Sequence, residues 1–333
     1  MIAKERLLGI IRAFGGRRVV VIGDVIADEF IYGQIARVSR EAPVLILNYD
    51  STEIVPGGAG NAASNVAALG GHVSAIGVVG RDESGRRLIA TMRRRRIDVR
   101  RMLAPGGYRT PTKTRILAGG VHSAKQQLVR IDRAAGAAAD DRAREVFEDR
   151  VLTAAAGADA LLVSDYGSGL VTPSLVAAAR DRMRVPIVLV DSRYDLLRYK
   201  GMTACTPNES EVEHALGTTI GDDARALERA GRAVLTRTRS RAVLITRGGR
   251  GMALFQPGEK TVHIPIVGSD QIADVTGAGD TVIATLTLAL AAGATFEEAA
   301  HLANHAGGIV VMKRGTATVS AAELRASVNG SRK

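Results

Sequence analysis

Short apolar runs recur along the chain, most of them closed by a glycine or a polar residue. R-V-V-V-I-G at 18–23 predicts a strand buried on both faces and ending at Gly23-Asp24. V-S-A-I-G-V-V-G at 73–80, A-L-L-V-S at 160–164, I-V-L-V-D at 187–191, T-A-C-T at 203–206 and A-V-L-I-T at 242–246 repeat that pattern. G-G-A-G-N-A-A-S-N-V-A-A-L-G-G at 57–71 reads as a glycine turn, a small-residue helix and a glycine stop. From 144 onward helical patterns lie between the strands, and such alternation predicts a parallel sheet covered on both faces. Two further pairs alternate apolar with polar positions. They are F-I-Y-G-Q-I-A-R-V with P-V-L-I-L-N-Y, and T-K-T-R-I-L-A (112–118) with K-Q-Q-L-V-R-I-D (125–132). A strand with one wet face does not suit a doubly covered sheet. These pairs predict a small separate β-layer, and 134–141 reads as a surface loop. The expected fold class is α/β, a three-layer α/β/α core with a mostly parallel sheet. One domain over 1–333 is expected, with a small β-sheet lid at about 30–54 and 108–132.

Composition narrows this picture. Apolar residues make up 46% and aromatics only 3%, so the core must be aliphatic and Ala-rich. No apolar run is long enough to cross a bilayer, and the N-terminus is too charged for a signal peptide. A single cysteine, Cys205, can form no internal disulfide, and a cytoplasmic location without a membrane partner is expected. The formal charge is +11, mostly arginine, densest in R-R-R-R at 93–96. No aromatic residues interleave with that run to stack bases, so a solvated helix face is expected rather than a nucleic-acid surface. A positive field also suits a small anionic substrate.

The candidate chemistry collects at strand ends, where open parallel sheets bind ligands. Asp24, Ser164-Asp165-Tyr166-Gly167, Asp191, Pro207-Asn208-Glu209-Ser210-Glu211 and Thr246-Arg247-Gly248 all occupy such ends. Singly, each also reads as a turn former. D-V-T-G-A-G-D-T at 274–281 precedes an apolar helix expected over Thr281–Ala292. Glycines expose successive N–H groups, and the helix start adds positive potential, which together make an anion hole for a phosphoryl group. Gly277, Ala278 and Gly279 would supply it. Asp280 beside it reads as a general base, kept ionised by the helix end. Gly57, Gly58, Asn61 and Asp24 offer bare backbone, an amide and a carboxylate to vicinal hydroxyls, or else a tight turn before a packed helix. Glu211 would order a hydrated Mg²⁺, or cap a helix. His301 and His305 lack the glutamate of a zinc motif and read as structural. P-loop, dinucleotide and protein-kinase signatures are absent.

Two signatures, P-G-G-A-G-N-A-A-S-N-V-A-A-L-G and D-V-T-G-A-G-D-T, with G-V-V-G-R-D-E-S-G between them, resemble the ribokinase/PfkB family of carbohydrate kinases over about residues 18–320. Within it the chain is most similar to the D-glycero-β-D-manno-heptose 7-phosphate kinases, the kinase domain of ADP-heptose synthesis. V-I-G-D-V-I-A-D-E-F-I-Y-G, K-Q-Q-L-V-R-I-D and L-A-N-H-A-G-G-I-V-V-M-K-R-G-T-A-T-V carry that likeness. It departs at Ser168, where those kinases usually have lysine, and at Ser192-Arg193, where they usually read P-K. The resemblance implies ATP and Mg²⁺, a sugar or sugar phosphate as acceptor, and a homodimer formed through the lid. By the same likeness Asp280 is the base, Asn208 and Glu211 lie near triphosphate and metal, and Thr246, Gly248 and Asn304 belong to the nucleotide side. Asp274 and Thr276 match positions that often hold a monovalent cation such as K⁺. A single-function kinase is expected, as no fused nucleotidyltransferase follows. Kinases for ribose, fructose or a nucleoside, and a non-catalytic sugar or nucleotide sensor, are the alternatives.

Overall fold

The computed structural model describes residues 2–119, 125–135, 140–268 and 274–330. Among them are twelve strands: β1 (Arg18–Gly23), β2 (Val25–Val38), β3 (Leu45–Gly58), β4 (His72–Ile76), β5 (Thr112–Gly119), β6 (Gln126–Arg133), β7 (Ala160–Asp165), β8 (Val188–Ser192), β9 (Ala204–Cys205), β10 (Ala242–Thr246), β11 (Met252–Phe255) and β12 (Val262–Ile264). Ten α-helices accompany them: α1 (Lys4–Arg12), α2 (Ala59–Ala68), α3 (Glu83–Arg94), α4 (Asp141–Ala155), α5 (Pro173–Arg182), α6 (Glu209–Leu216), α7 (Ala224–Thr238), α8 (Ala278–Ala291), α9 (Phe296–Val310) and α10 (Ala321–Val328).

Eight strands form one sheet in the order β12-β11-β10-β9-β8-β7-β1-β4. The six from β4 to β10 run parallel, and β11 and β12 are antiparallel. Period-two alternation divides the core. Val19 and Val21 of β1 face one side, with Val66 of α2 and Leu286 of α8. Val20 and Ile22 face the other, with Phe147 of α4, Leu175 of α5 and Val234 of α7. This is the doubly covered parallel sheet that the apolar runs predict.

The second sheet has the order β3-β2-β5-β6. Its expected single wet face is not what is seen: burial falls with distance from the core, with β6 exposed throughout and β2 and β3 buried only at their core-side ends. Its two long strands extend further than expected, β2 back to Val25 and β3 on to Gly58, so the sheet begins at the core.

Other boundaries also move. The strand expected over 73–80 stops at Ile76; beyond it only Val78 is bridged, to Leu103, and a Cβ on Gly77 would run into Val25 Cγ2 and Gly23 O. The strand expected over 203–206 shrinks to two residues. The expected loop at 134–141 includes 136–139, outside the described residues. α8 starts at Ala278, three residues before the expected start at Thr281. It is buried from Asp280 to Leu290, packed against α2, α9, β7 and β8. Its threonines fit there by returning their hydroxyls to their own helix: Thr285 donates to Thr281 O at 2.8 Å and Thr287 to Ile283 O at 2.7 Å.

Candidate active site

Asp24 is the single residue between β1 and β2, so the chain leaves the large sheet for the small one at this carboxylate. β3 returns beside it. Gly58 pairs with Val25, and the N–H of Ala59 donates to Asp24 O at 3.0 Å. Gly58 caps α2 at φ 56°, and a Cβ there would run into Asp24 O. The Asp24 carboxylate is buried. It accepts the Tyr166 N–H at 2.7 Å and the Ser168 hydroxyl, both from the turn after β7. Burial pushes its carboxyl up, and those two hydrogen bonds oppose the shift. A cleft of about 400 Å³ opens at this junction, lined by Asp24, Ile26, Tyr108, Pro111, Tyr166 and Ser168 among others.

Asp280 lies one helix turn into α8, whose N-cap is Gly277 at φ 76°. Only glycine suits that place, since a Cβ on it would run into Asn61 Nδ2. The Ala278 N–H donates to Val275 O at 3.2 Å and that of Thr281 to Gly277 O at 3.2 Å. The Gly277, Gly279 and Asp280 amides have no partner among the described residues. The expected anion hole therefore keeps three open donors and loses that of Ala278. The Asp280 carboxylate is buried, with Oδ2 accepting the Asn61 side-chain amide at 2.8 Å. The Tyr166 hydroxyl stands 3.5 Å from Oδ1. The expectation of an ionised Asp280 at neutral pH needs correction. Burial, with the nearby Asp28 charge, raises its pKa to about 7 against the pull of Asn61 and Lys113. Desolvation is the largest of these causes.

Asn61 does not face the first cleft as expected of a sugar ligand. It is fully buried, and its Nδ2 donates to Asp280 and to Gly277 O at 3.3 Å. Its oxygen accepts Asn65 at 3.2 Å, and Asn65 Oδ1 in turn accepts the Val319 N–H at 3.2 Å. Sequence reasoning also missed Asp28. Its carboxylate is buried and receives Arg115 Nη1 at 2.6 Å and the Thr316 hydroxyl at 2.9 Å. The signal lay in V-I-A-D-E-F, an acidic residue inside an apolar strand start.

A second cleft, of about 440 Å³, opens on the other side of the α8 start. Thr246, Gly248, Asn304, Ala278, Gly279 and Val282 are among its lining residues. The three residues expected on a nucleotide thus meet two of the three expected in the anion hole. Asn304 is buried and donates to Pro265 O at 2.7 Å. Asn208 is bridged to Thr246 of this lining, and with Glu211 it forms the capping box of α6.

A family pattern described as "pfkB family carbohydrate kinase" matches residues 17–323. The chain belongs to this family. It is a carbohydrate kinase. "Bifunctional protein HldE" of Caulobacter vibrioides is 42% identical over 320 residues, covering 95% of this kinase and 64% of that relative. The protein of the same name from Geobacter metallireducens is 42% identical over 317 residues, covering 93% and 62%. The kinase therefore spans less than two thirds of the length of these relatives. By structure it is similar to phosphofructokinase-2 from Escherichia coli in complex with substrates and products, with a TM-score of 0.78, 19% identity and coverage of 94% and 98%. A second likeness is Arabidopsis thaliana ribokinase complexed with ribose and ATP, with a TM-score of 0.70, 21% identity and coverage of 94% and 97%. These two show the ribokinase-like fold.

Among the described residues of the kinase, no group of three His, Cys, Asp or Glu side chains could hold a metal. Asp191 and Glu211 nevertheless make a polar corner near Asp280. Burial, then repulsion by Glu211 and Asp280, pushes the Asp191 carboxyl well up, against Arg193. Burial likewise raises Glu211, against its bonds with Asn208 and the charge of Arg193. A divalent cation that keeps most of its waters would relieve this repulsion, with both carboxylates then ionised toward it. Asp274 is engaged differently. Its oxygens accept the N–H groups of Thr276 and Gly315, each at 2.9 Å, and fix the turn before α8. Burial pushes its carboxyl up, but those hydrogen bonds leave it below the usual range. No described helix is long and apolar enough to cross a membrane.

Proposed function

We propose that this kinase transfers the terminal phosphoryl group of ATP to the anomeric hydroxyl of D-glycero-D-manno-heptose 7-phosphate, giving the 1,7-bisphosphate. One observation carries the reading: Asp280 stands at the joint of the two clefts. Tyr166 lines the first and approaches Asp280, while Ala278 and Gly279 line the second and lead directly to it. A carboxylate with a pKa of about 7 is suited to take a proton from an alcohol at neutral pH. The choice of acceptor rests on the HldE relatives.

In this reading Asp24, Gly57 and Gly58 present the acceptor, and Asn61 holds Asp280. The acceptor oxygen attacks the terminal phosphorus, its proton passes to Asp280, and the bond to ADP breaks. The Gly277, Gly279 and Asp280 amides receive the phosphoryl oxygens. Mg²⁺, when bound through water near Asp191 and Glu211, neutralises phosphate charge. Thr246, Gly248 and Asn304 wall the nucleotide side. K⁺ near Asp274 and Thr276 belongs to the same proposal, read as activity with and without the ion. A homodimer through the small sheet is supported by its exposed apolar residues Val38, Val44, Leu45, Tyr49, Val129 and Ile131.

ADP release should be measured with heptose 7-phosphate, fructose 6-phosphate, ribose and a nucleoside. The heptose phosphate is expected to give the highest kcat/KM. A higher value for another acceptor overturns the heptose assignment, and binding of ATP without ADP release from any of them overturns catalysis.

A further inference from the structure

β3 has a second lined face, away from the two clefts around Asp280. Between β3 and α3 lies a crevice of about 500 Å³, lined by Arg87, Arg94 and Arg95 together with Thr52, Glu53 and Thr91. Two of the arginines have partners. Arg87 Nη2 donates to Thr52 O at 3.3 Å, and its Nη1 lies 3.8 Å from Glu83. Arg94 Nη2 donates to the Thr91 hydroxyl at 2.8 Å. Arg95 has none: its Nη1 is shut off from solvent and donates no hydrogen bond. No carboxylate pairs with it among the described residues. Burial lowers its pKa, the field of Glu53 opposes this, and Arg94 adds to it.

A buried donor without an acceptor is costly and calls for an explanation. Arginines at the end of α3 complement the helix dipole. That account places a charge near the last turn, but does not explain a guanidinium edge buried without a partner.

We propose that this crevice binds a small phosphate-bearing anion at a site separate from the catalytic clefts. Guanidinium forks match phosphate oxygens, and an anion would supply the acceptor that Arg95 Nη1 lacks. Glu53 lines the same space and offsets part of the charge, but the three arginines still outnumber it and leave the crevice positive. The volume suits a small metabolite. Ile54 and Val55, also in the lining, stand three and two residues before the Gly57-Gly58 turn. An occupant would therefore brace the strand that ends at the catalytic junction.

The test is calorimetric and needs no turnover, so it stands apart from the choice of acceptor. The full chain is saturated with ADP to fill the nucleotide cleft and titrated with pyrophosphate, inorganic phosphate or fructose 6-phosphate. Binding of pyrophosphate to the ADP-saturated protein is expected. Arg95→Met should weaken it by about tenfold or more, Arg94→Gln should weaken it less, and Asp280→Asn should leave it unchanged. Without ligand, Arg95→Met should keep or raise its Tm, because no internal hydrogen bond is lost and a buried unpaired donor is removed. Absence of binding in the ADP-saturated protein, or affinity untouched by both arginine variants, overturns the site. A large fall in Tm for Arg95→Met, with Arg94→Gln binding as wild type, assigns Arg95 a structural role and also overturns it.

Discussion

The side-chain amide of Asn61 donates to the carboxylate of Asp280 across 2.8 Å, although the two residues are 219 positions apart. This bond favours the ionised form of the buried acid. Asn61→Leu removes it and should raise the Asp280 pKa by about one to two pH units. The measurement is the pH dependence of kcat/KM, whose rising limb should move to higher pH. An unmoved limb would mean that the bond has no hold on the titration.

In the wild type the same limb should lie near pH 7, the value to which burial raises Asp280. Activity should fall below that pH as the base becomes protonated, and level off above it. Asp280→Asn should bind ATP and lose roughly 10²–10⁴ in rate. Full turnover in that variant would remove Asp280 from the chemistry.

The raised pKa also makes a stability prediction. An aspartate at 3.8 when unfolded and about 7 when folded holds its proton longer in the native state. Its contribution is complete below the unfolded value and is lost as pH rises through the interval to about 7. The loss amounts to about 4 kcal/mol at full ionisation. Thermal melts of Asp280→Asn should therefore gain on the wild type from about pH 4 to pH 7 and hold a constant advantage above. A gap that does not change with pH would contradict this.

Gly277→Ala combines a positive φ with a Cβ driven against Asn61 Nδ2. It should cost about 1–3 kcal/mol by urea denaturation and lower activity as well, because the displaced amide is the one that holds Asp280. Wild-type kinetics in this variant would show that Asn61 adapts freely.

Arg115→Met leaves Asp28 buried without its cation and should destabilise by about 3–5 kcal/mol. The double variant Asp28→Asn, Arg115→Met should recover much of that loss in the same denaturation assay. Equal losses in single and double variants would mean that packing, rather than charge, governs the site.

Much of this architecture was legible in single runs of residues. β1, β7, β8 and β10 announce themselves because unbroken Val, Leu and Ile runs have few other uses at that length. The second sheet is legible from its alternation, and α8 from its apolar run, although it starts three residues earlier than that run suggests. β11 and β12, with four and three residues, are too short to show a period. Asn61 illustrates the deeper limit. Its local context, G-A-G-N-A-A, suits either a ligand contact or a buried bond, and the deciding partner lies far along the chain. The ionisation of Asp280 departs from the local pattern for a similar reason. The helix end is visible locally, whereas burial by α2, α9 and the sheet is not.

The bond from the Val319 N–H to Asn65 gives the order of synthesis a consequence. Asn65 braces Asn61, and Asn61 braces Asp280, so a chain emerging from the ribosome lacks this scaffold until Val319 has been made. Copies that stop short of Val319 are therefore expected to be silent toward ATP and sugar, and phosphoryl transfer to begin only once that segment has docked on Asn65.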